Sequence, residues 1–294
     1  MRYSNLLKKK EVLILLFHGV VKNKYSKLWD PASKHVSLKR FESIIKDLSS
    51  KGNGISMKNF CKLKKLKKKS FIITFDDGFH NNLLAAKVLK KYKVPATFYV
   101  TTNFIQKNLI SWTDMIDYAV NITKEQKIDI LNKRFNLKNK NKKILFQKKI
   151  RKILKNDMNI NEIETAKKIQ IKLIGSVIDS SKREIYRKLN WEDILKLNKN
   201  KLFDIGLHTH NHEILTKLNK KKLERTIKMS KKLLKRYTGI ITNLFAYPDG
   251  QSNHYSQNII NVLKKNGFSS SPTAINGHNK VSTNKFKLKR YFAI

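Results

Sequence analysis

The stretch FIITFDDGFHNNLLAAKVLKKYKVPATFYVT, residues 71–101, decides the fold. It opens with an apolar run at residues 71–75 and ends with a second run at residues 97–101, which is entered through Pro95. Short apolar runs bounded by turn residues are typical of strands buried on both faces of a sheet. Between them, apolar residues recur at helical spacing after Asn81, which can cap a helix. Strand, helix and strand in this order predict a βαβ unit and therefore a parallel sheet.

The same alternation continues on both sides of this unit. Further runs predict strands at residues 12–17, 202–208, 243–248 and 286–294, and helical periodicity marks residues 223–237 and 256–267. The second of these helical patterns ends at Gly267, as a C′ glycine would end it. Because the units repeat without a strong linker, we expect an α/β fold, a barrel-like single domain over residues 1–294.

Residues 114–187 differ from the rest of the chain. They are rich in Lys, Asn and Ile, contain no Pro and one Gly, and predict several amphipathic helices inserted between barrel elements. We expect this insertion to carry no chemistry. The alternative is a lid that shapes the substrate site and begins at SWTDMIDY, residues 111–118, where Trp112 offers either a sugar-stacking face or a core side chain.

Charge dominates the composition, since 64 Lys and Arg stand against 21 Asp and Glu and give a net charge of +43. Clustered charge of this size attracts polyanions such as nucleic acid. The lysines are instead spread over loops, helix faces and both ends of the sequence, so we expect a compositional bias and no nucleic-acid partner. The single cysteine, Cys61, excludes an internal disulfide and a cysteine-rich zinc site.

The first residues, MRYSNLLKKKEVLILLFHGV, have the basic-then-apolar order of a signal peptide. The apolar run is short, however, and ends in His18 without a small-residue cleavage site, so it predicts a buried strand. Nowhere do about 18 apolar residues follow one another, so no transmembrane helix is expected. We expect a cytoplasmic protein, and a membrane-proximal position with peripheral membrane association stays open.

Asp76 and Asp77 stand side by side directly after a predicted strand, in a chain poor in acids. Ligands of parallel α/β folds bind at the carboxyl ends of strands, and Gly78 allows a tight turn there. Adjacent carboxylates repel each other unless a positive charge lies between them. A metal ion is the simplest such charge, because one carboxylate can bind it while the other acts as a general base.

Three of the eight histidines fall within HTHNH, residues 208–212, just past another predicted strand. Neutral imidazoles four residues apart can face one cation if the segment turns helically. With one aspartate they would supply the three protein ligands of an open catalytic metal site. A solvated histidine-rich loop is the alternative, but it does not account for the aspartate pair.

TFDDG together with HTHNH, as His-Thr-x-x-His, resembles the first two motifs of the polysaccharide deacetylase family. This family is the NodB-homology domain of carbohydrate esterase family 4. The similarity includes VPATFYVTTNFI and FAYPDG and covers most of the chain outside the insertion. It implies a distorted (β/α) barrel of that family's type, and the hydrolytic removal of acetyl groups from an N-acetylated, sometimes O-acetylated, carbohydrate.

The resemblance also implies roles for the motif residues. Asp76 would be the general base that activates a water, and Asp77, His208 and His212 would bind a divalent metal. Zn²⁺ is the expected ion, with Co²⁺, Ni²⁺ or Mn²⁺ as alternatives. Thr209 would support the loop by hydrogen bonding. The residues expected to bind the acetylated carbohydrate are Trp112, Tyr247, Pro248, Asp249 and Gly250.

Two departures from the family pattern concern the remaining catalytic groups. The late Leu-x-His motif is missing after residue 250, but motif order is permuted in some relatives, and LFH at residues 16–18 makes His18 the candidate general acid. A buried strand-end histidine satisfied by the backbone is the alternative. Ala246 stands where relatives often carry an arginine that orients the base, which puts the tuning of that base in doubt. Arg290 could reach the site from the last strand, although an exposed arginine is the ordinary case.

Three other functions compete with this one. An amidohydrolase-type barrel would use His208 and His210 as a ligand pair, but on its first strand, and TFDDG would go unexplained. A haloacid-dehalogenase-like phosphatase would need an aspartate where Phe75 stands. A catalytically weak or inactive cationic glycan-binding module on the same scaffold is the alternative from another class, and the intact set of Asp77, His208 and His212 argues against it.

Overall fold

A parallel sheet forms the centre of the computed structural model, which describes residues 2–157, 159–177 and 183–294. The strands are β1 (Val12–Phe17), β2 (Gly19–Val21), β3 (His35–Ser37), β4 (Asn53–Gly54), β5 (Ser70–Phe75), β6 (Ala96–Val100), β7 (Lys127–Ile130), β8 (Lys133–Asn136), β9 (Phe203–Leu207) and β10 (Tyr291–Phe292). The main sheet has the order β10, β1, β5, β6, β9, with β4 beside β5, and all of its pairs are parallel. This confirms the parallel α/β fold.

Helices follow most of these strands. They are α1 (Leu38–Lys51), α2 (Met57–Lys62), α3 (Asn82–Lys91), α4 (Thr102–Lys107), α5 (Trp112–Ile122), α6 (Lys140–Asn156), α7 (Glu162–Ile174), α8 (Trp191–Asn198), α9 (Lys220–Thr238) and α10 (Gln257–Lys265), with 3₁₀ turns at Tyr3–Leu6 and Leu215–Lys217. The unit β5, α3, β6 is the predicted βαβ unit. None of the helices in the described ranges combines the length and apolar character that a membrane crossing requires.

The two central strands are buried along their whole length. Every residue of β1 and of β5 is buried, and the two strands pair in register from Val12 opposite Ser70 to Phe17 opposite Phe75. The rings of Phe17 and Phe75 stack 5.5 Å apart, and that of Phe98 stacks on Phe75 at 4.9 Å. Burial on both faces explains why these segments are continuous apolar runs.

The far side of the barrel is built from isolated bridges. The segment predicted as a strand at residues 243–248 forms single parallel bridges, Leu244 to Ser270 and Phe245 to Leu207, and Pro272 bridges Leu288. No continuous ladder closes the sheet within the described residues. Pro248 and Pro272, which lie on this side, have no backbone N–H to donate to a ladder.

The insertion contains more than the predicted helices. Between α5 and α6 the chain forms an antiparallel hairpin of β7 and β8, which the sequence analysis missed. Its turn residues, Leu131 and Asn132, both have positive φ. Side chains of α5, α6, α7 and the hairpin share an apolar cluster separate from the sheet core. The structure thus gives this segment its own core.

Helix boundaries agree with the predicted capping in one case and differ in another. Gly267 follows α10 with a φ of 79°, as predicted for a C′ glycine. Asn81 occupies the N-cap position of α3, but its side chain makes no capping hydrogen bond. Its Oδ1 accepts a hydrogen bond from the Val20 N–H instead, so this buried amide ties β2 to the start of α3.

Candidate active site

The two aspartates lie at the carboxyl end of β5, as the sequence predicts. The Asp76 N–H donates to the Phe17 carbonyl at 3.0 Å, which extends the pairing of β5 with β1 by one residue. Asp77 and Gly78 then adopt positive φ angles of 72° and 67°. A left-handed conformation is costly for an aspartate, so the surrounding fold must hold it. The turn places both carboxyl groups in the interior.

The histidine loop after β9 is not helical. Positive φ angles at Thr209 and His212 fold the segment back on itself, so the helical turn that the sequence analysis made a condition for shared coordination is not needed. The Thr209 Oγ1 accepts a hydrogen bond from the Glu213 N–H at 3.1 Å, and the Thr209 carbonyl accepts one from the Thr102 N–H at 3.3 Å. The first bond closes the loop on itself, and the second fastens it to α4.

Asp77, His208 and His212 converge on one point. One ligand atom from each lies within 4.8 Å of the others. The Nε2 atoms of His208 and His212 are 3.6 and 3.2 Å from Asp77 Oδ1. His208 Nδ1 lies 2.9 Å from the Ala246 carbonyl, which orients the ring so that Nε2 faces the aspartate. His210 is not part of the group, because its Nδ1 pairs with Thr102 Oγ1 at 2.9 Å.

This group has the properties of a metal site. Asp77 Oδ1 is buried and makes no hydrogen bond among the described residues, although two imidazole nitrogens lie close to it. A buried carboxylate oxygen without a partner is costly unless a ligand satisfies it. Two imidazoles and one carboxylate form the donor set of open catalytic zinc sites. The residues present therefore fit a divalent cation.

The Asp76 carboxylate is bound by Arg290, to which the sequence analysis assigned no definite role. Arg290 Nη1 and Nη2 donate to the two carboxylate oxygens at 2.9 and 2.7 Å, and the Arg290 side chain is completely buried. Its Nε donates to the Thr273 carbonyl at 2.6 Å, and Nη1 also reaches Thr74 Oγ1 at 3.2 Å. The expectation that Arg290 is an ordinary exposed arginine is wrong. Its guanidinium makes the contact with the Asp76 carboxylate for which Ala246 has no donor.

The electrostatics of the site follow from burial and these contacts. Burial disfavours the charge on Asp76, but the Arg290 guanidinium outweighs it and lowers the pKa of the carboxyl group. Burial also opposes ionisation of Asp77, whose pKa is nevertheless held well below its usual range, chiefly by His212. Burial lowers the pKa of His208. Both carboxyl groups are therefore ionised at neutral pH.

His18, the candidate acid, lines the same cavity as the two aspartates. Its Nδ1 is buried and has no hydrogen-bond partner among the described residues, so the alternative of a histidine satisfied there by the backbone does not hold. Burial lowers its pKa to about 4, against the opposing effect of Asp77 and Asp76. The resting imidazole is thus neutral near pH 7.

The site opens into a cavity of about 240 Å³. Trp112, Tyr247 and Asp249 line it, and Trp112 also packs in the apolar cluster of the insertion, as its core alternative predicts. Pro248 and Gly250 belong to the loop of Asp249 but do not line the cavity. The insertion also contributes to the wall through α6, with Arg151 and Lys155. These lining residues favour the alternative of a segment that shapes the site over the expectation that the insertion carries no chemistry.

Comparison with known proteins gives consistent results. A family model described as polysaccharide deacetylase matches residues 63–271. The fold matches a Streptococcus pyogenes deacetylase in complex with acetate (TM-score 0.62, 15% identity, 98% of this chain and 94% of that one). It also matches IcaB from Ammonifex degensii (0.59, 17%, 98% and 94%). A polysaccharide deacetylase from Bacillus cereus (0.58, 18%) is matched over 97% of this chain, which spans only 65% of that one. No curated protein matches the sequence significantly.

Proposed function

The chain belongs to the polysaccharide deacetylase family, and we propose that it is a metal-dependent hydrolase that removes acetyl groups from an N-acetylated carbohydrate. The observation that supports this most directly is the convergence of Asp77, His208 and His212 on one point beside a second, separately held carboxylate, Asp76. We further propose one domain over residues 1–294, with residues 114–187 inserted into it.

The divalent cation would be held by Asp77, His208 and His212. When bound there, such an ion polarises the acetyl carbonyl and lowers the pKa of a water molecule. Zn²⁺ suits a donor set of two imidazoles and one carboxylate, and Co²⁺, Ni²⁺ or Mn²⁺ would also be accepted. The hydrogen bond between His208 Nδ1 and the Ala246 carbonyl fixes the tautomer in which Nε2 is the ligand.

Asp76 is the base in this mechanism. It must stay ionised in a buried site and keep a fixed direction toward the attacking water, and the bidentate contact with Arg290 provides both. The water attacks the acetyl carbon while the proton moves to Asp76. The developing oxyanion would be stabilised by the cation and by the backbone N–H of Asp249, the residue of this loop that lines the cavity.

His18 is the proposed acid for the departing amine. Because its pKa of about 4 leaves it neutral at rest, it must take up its proton within the reaction cycle before it passes it on. Asp76 lines the same cavity and acquires a proton in the first step, so it is the source we propose. Collapse of the tetrahedral intermediate then breaks the carbon–nitrogen bond and releases acetate and the free amine.

The test starts with metal content, because it requires no assumption about the sugar. We expect about one divalent ion per chain after reconstitution, and loss of this ion in the double variant His208→Ala/His212→Ala. His210→Ala is the matched control, since His210 lies outside the group and should leave the ion bound. Metal-loaded protein should then release acetate from acetylated chito-oligosaccharides, and Asp76→Asn should abolish release while keeping the metal.

Two outcomes would contradict the proposal. Equal metal content in the double variant and in the wild type would show that Asp77, His208 and His212 are not the ligands. A protein that binds the metal and acetylated glycans, yet releases no acetate from N- or O-acetylated sugars, would instead be the inactive glycan-binding module.

A further inference from the structure

One wall of the catalytic cavity is cationic. Lys34, from the connection between β2 and β3, lines the cavity together with Arg151 and Lys155 of α6. The side chains of Lys34 and Arg151 are only 12% and 11% exposed. Lys155 pairs with Asp249 across the cavity, which neutralises both groups. Lys34 and Arg151 differ from Lys155, because their carboxylate partners do not line the cavity, so the two nearly buried cations face the same space as the metal site.

Buried aspartates hold these two cations from behind. Asp114 contacts Lys34 and lies 3.8 Å from the Nζ of Lys188, and Asp117 contacts Arg151. Neither aspartate lines the cavity, and both are fully buried. In these ion pairs the three cations, Lys34, Arg151 and Lys188, share the two carboxylates of Asp114 and Asp117. Burial also raises the pKa of Asp117 to about 7, so the carboxyl group behind Arg151 is only partly ionised at neutral pH.

One N–H donor of the Arg151 guanidinium has no hydrogen-bond acceptor among the described residues. Its Nη2 is used by Asp117, but its Nε is buried and has no hydrogen-bond partner among the described residues. A guanidinium carries five N–H donors in a planar fork that matches a carboxylate or a phosphate. A buried donor without an acceptor is unfavourable, so an acceptor that bound beside it would be stabilised. An acceptor supplied by a ligand in the cavity would satisfy it.

We propose that the wall formed by Lys34 and Arg151 binds an anionic group of the substrate, and that the acetylated carbohydrate is therefore an acidic sugar carrying a phosphate or a carboxylate. This inference rests on the proposed function, since it places the acetyl group at the metal site and the anion beside Lys34 and Arg151 in the same cavity. Arg151 and Lys34 are specificity residues in this arrangement and take no part in the hydrolysis itself.

The test compares three probes that share one acetylated sugar ring. N-acetylglucosamine 1-phosphate carries a phosphate, N-acetylmuramic acid carries a carboxylate, and N-acetylglucosamine is neutral. Calorimetric titration of the metal-free full chain should show at least one charged probe binding tenfold or more tightly than the neutral one. The metal-free form matters, because a metal ion would itself attract anions. The tighter of the two charged probes identifies the chemistry of the anion.

Variants distinguish anion binding at Lys34 and Arg151 from the nonspecific attraction of anions to a basic protein. Arg151→Met should reduce the preference for the charged probe to less than about threefold, and Arg151→Lys, which keeps the charge but loses the fork, should retain part of it. Arg134→Met removes an exposed arginine of the hairpin and should leave the preference unchanged. Thermal unfolding of each variant verifies that it is folded.

Two results would overturn the inference. One is equal binding of charged and neutral probes by the wild type, including no binding of any probe at millimolar concentration. The other is an unchanged preference in both Arg151→Met and Lys34→Met. Failure of the proposed function is distinguishable, because it would appear as absence of acetate release from every probe by metal-loaded protein, whatever the order of affinities.

Discussion

The ion pair between Arg290 and Asp76 gives the sharpest expectation. Arg290→Met keeps much of the side-chain volume but removes all the donors that hold the carboxylate. Asp76 then stays buried without its main counter-charge. Since Arg290 favours the ionised form, its loss raises the pKa of Asp76, and the acidic limb of the kcat/KM profile should move to higher pH.

The magnitude follows from burial. Removal of one partner from a buried ion pair costs about 3–5 kcal/mol, because an uncompensated charge is left inside. Arg290 also donates to the Thr273 carbonyl and to Thr74 Oγ1, and both acceptors would lose that partner. A domain with a typical stability of about 5–15 kcal/mol should still fold. We therefore expect a folded, destabilised protein with little activity at neutral pH.

The chain contains its own control. Arg134 makes the same kind of two-point contact with Asp129, at 2.9 and 3.1 Å, but both side chains are more than half exposed. Arg134→Met should lower the free energy of unfolding far less than Arg290→Met does, because solvent screens the exposed pair, and it should leave the pH profile unchanged. Urea unfolding of both variants gives the free energies, and acetate release between pH 5 and pH 9 gives the profiles.

Two results would refute this reasoning. If Arg290→Met and Arg134→Met lowered the free energy of unfolding equally, the buried pair would have no special role in stability. If Arg290→Met stayed folded and active with an unshifted acidic limb, Asp76 would not depend on Arg290 for its ionisation, and the assignment of Asp76 as the base would fail with it.

Two further expectations concern backbone and charge. Gly250 and Gly239 both have positive φ, but a Cβ on Gly250 would lie 2.6 Å from the Ala274 nitrogen, whereas one on Gly239 meets nothing within 4 Å. Gly239→Ala should cost about 1–2 kcal/mol in urea unfolding, and Gly250→Ala clearly more, with loss of activity; equal costs would contradict the clash. Burial lowers the pKa of Lys188 from 10.5 to about 8 in the folded protein. Between pH 8 and pH 10.5 the unfolded chain therefore binds one proton more than the folded chain. Relative to Lys188→Met, wild-type stability should rise by roughly 3 kcal/mol from pH 8 to pH 10.5, and a constant difference would contradict it.

Local patterns allowed the central strands and the convergence of Asp77, His208 and His212 to be predicted. The runs of β1, β5 and β6 are buried along their whole length, so their apolar character is nearly continuous and easily recognised. The aspartate pair and the histidine cluster stand out because acids and histidines are rare in this chain. Each of these signals lies within a few consecutive residues.

The parts that were missed depend on distant contacts or unusual turns. Arg290 is one basic residue among 64, and nothing near it in sequence indicates that it is buried against Asp76. The hairpin of β7 and β8 does carry alternating buried residues, Ile128 and Ile130, which could have revealed it. Its turn uses Leu131 and Asn132 at positive φ, without the glycine that usually marks such a turn.

The long separation between Asp76 and Arg290 has a consequence for how the protein acquires its activity. The strands β5 and β6 pair across a single helix, whereas the two members of the ion pair are 214 residues apart and close a far larger loop. Contacts between distant residues form late, because the entropy of closing the chain must be overcome first. During refolding, recovery of helical circular dichroism should precede recovery of catalysis, so enzymatic activity reports on the last step of chain organisation.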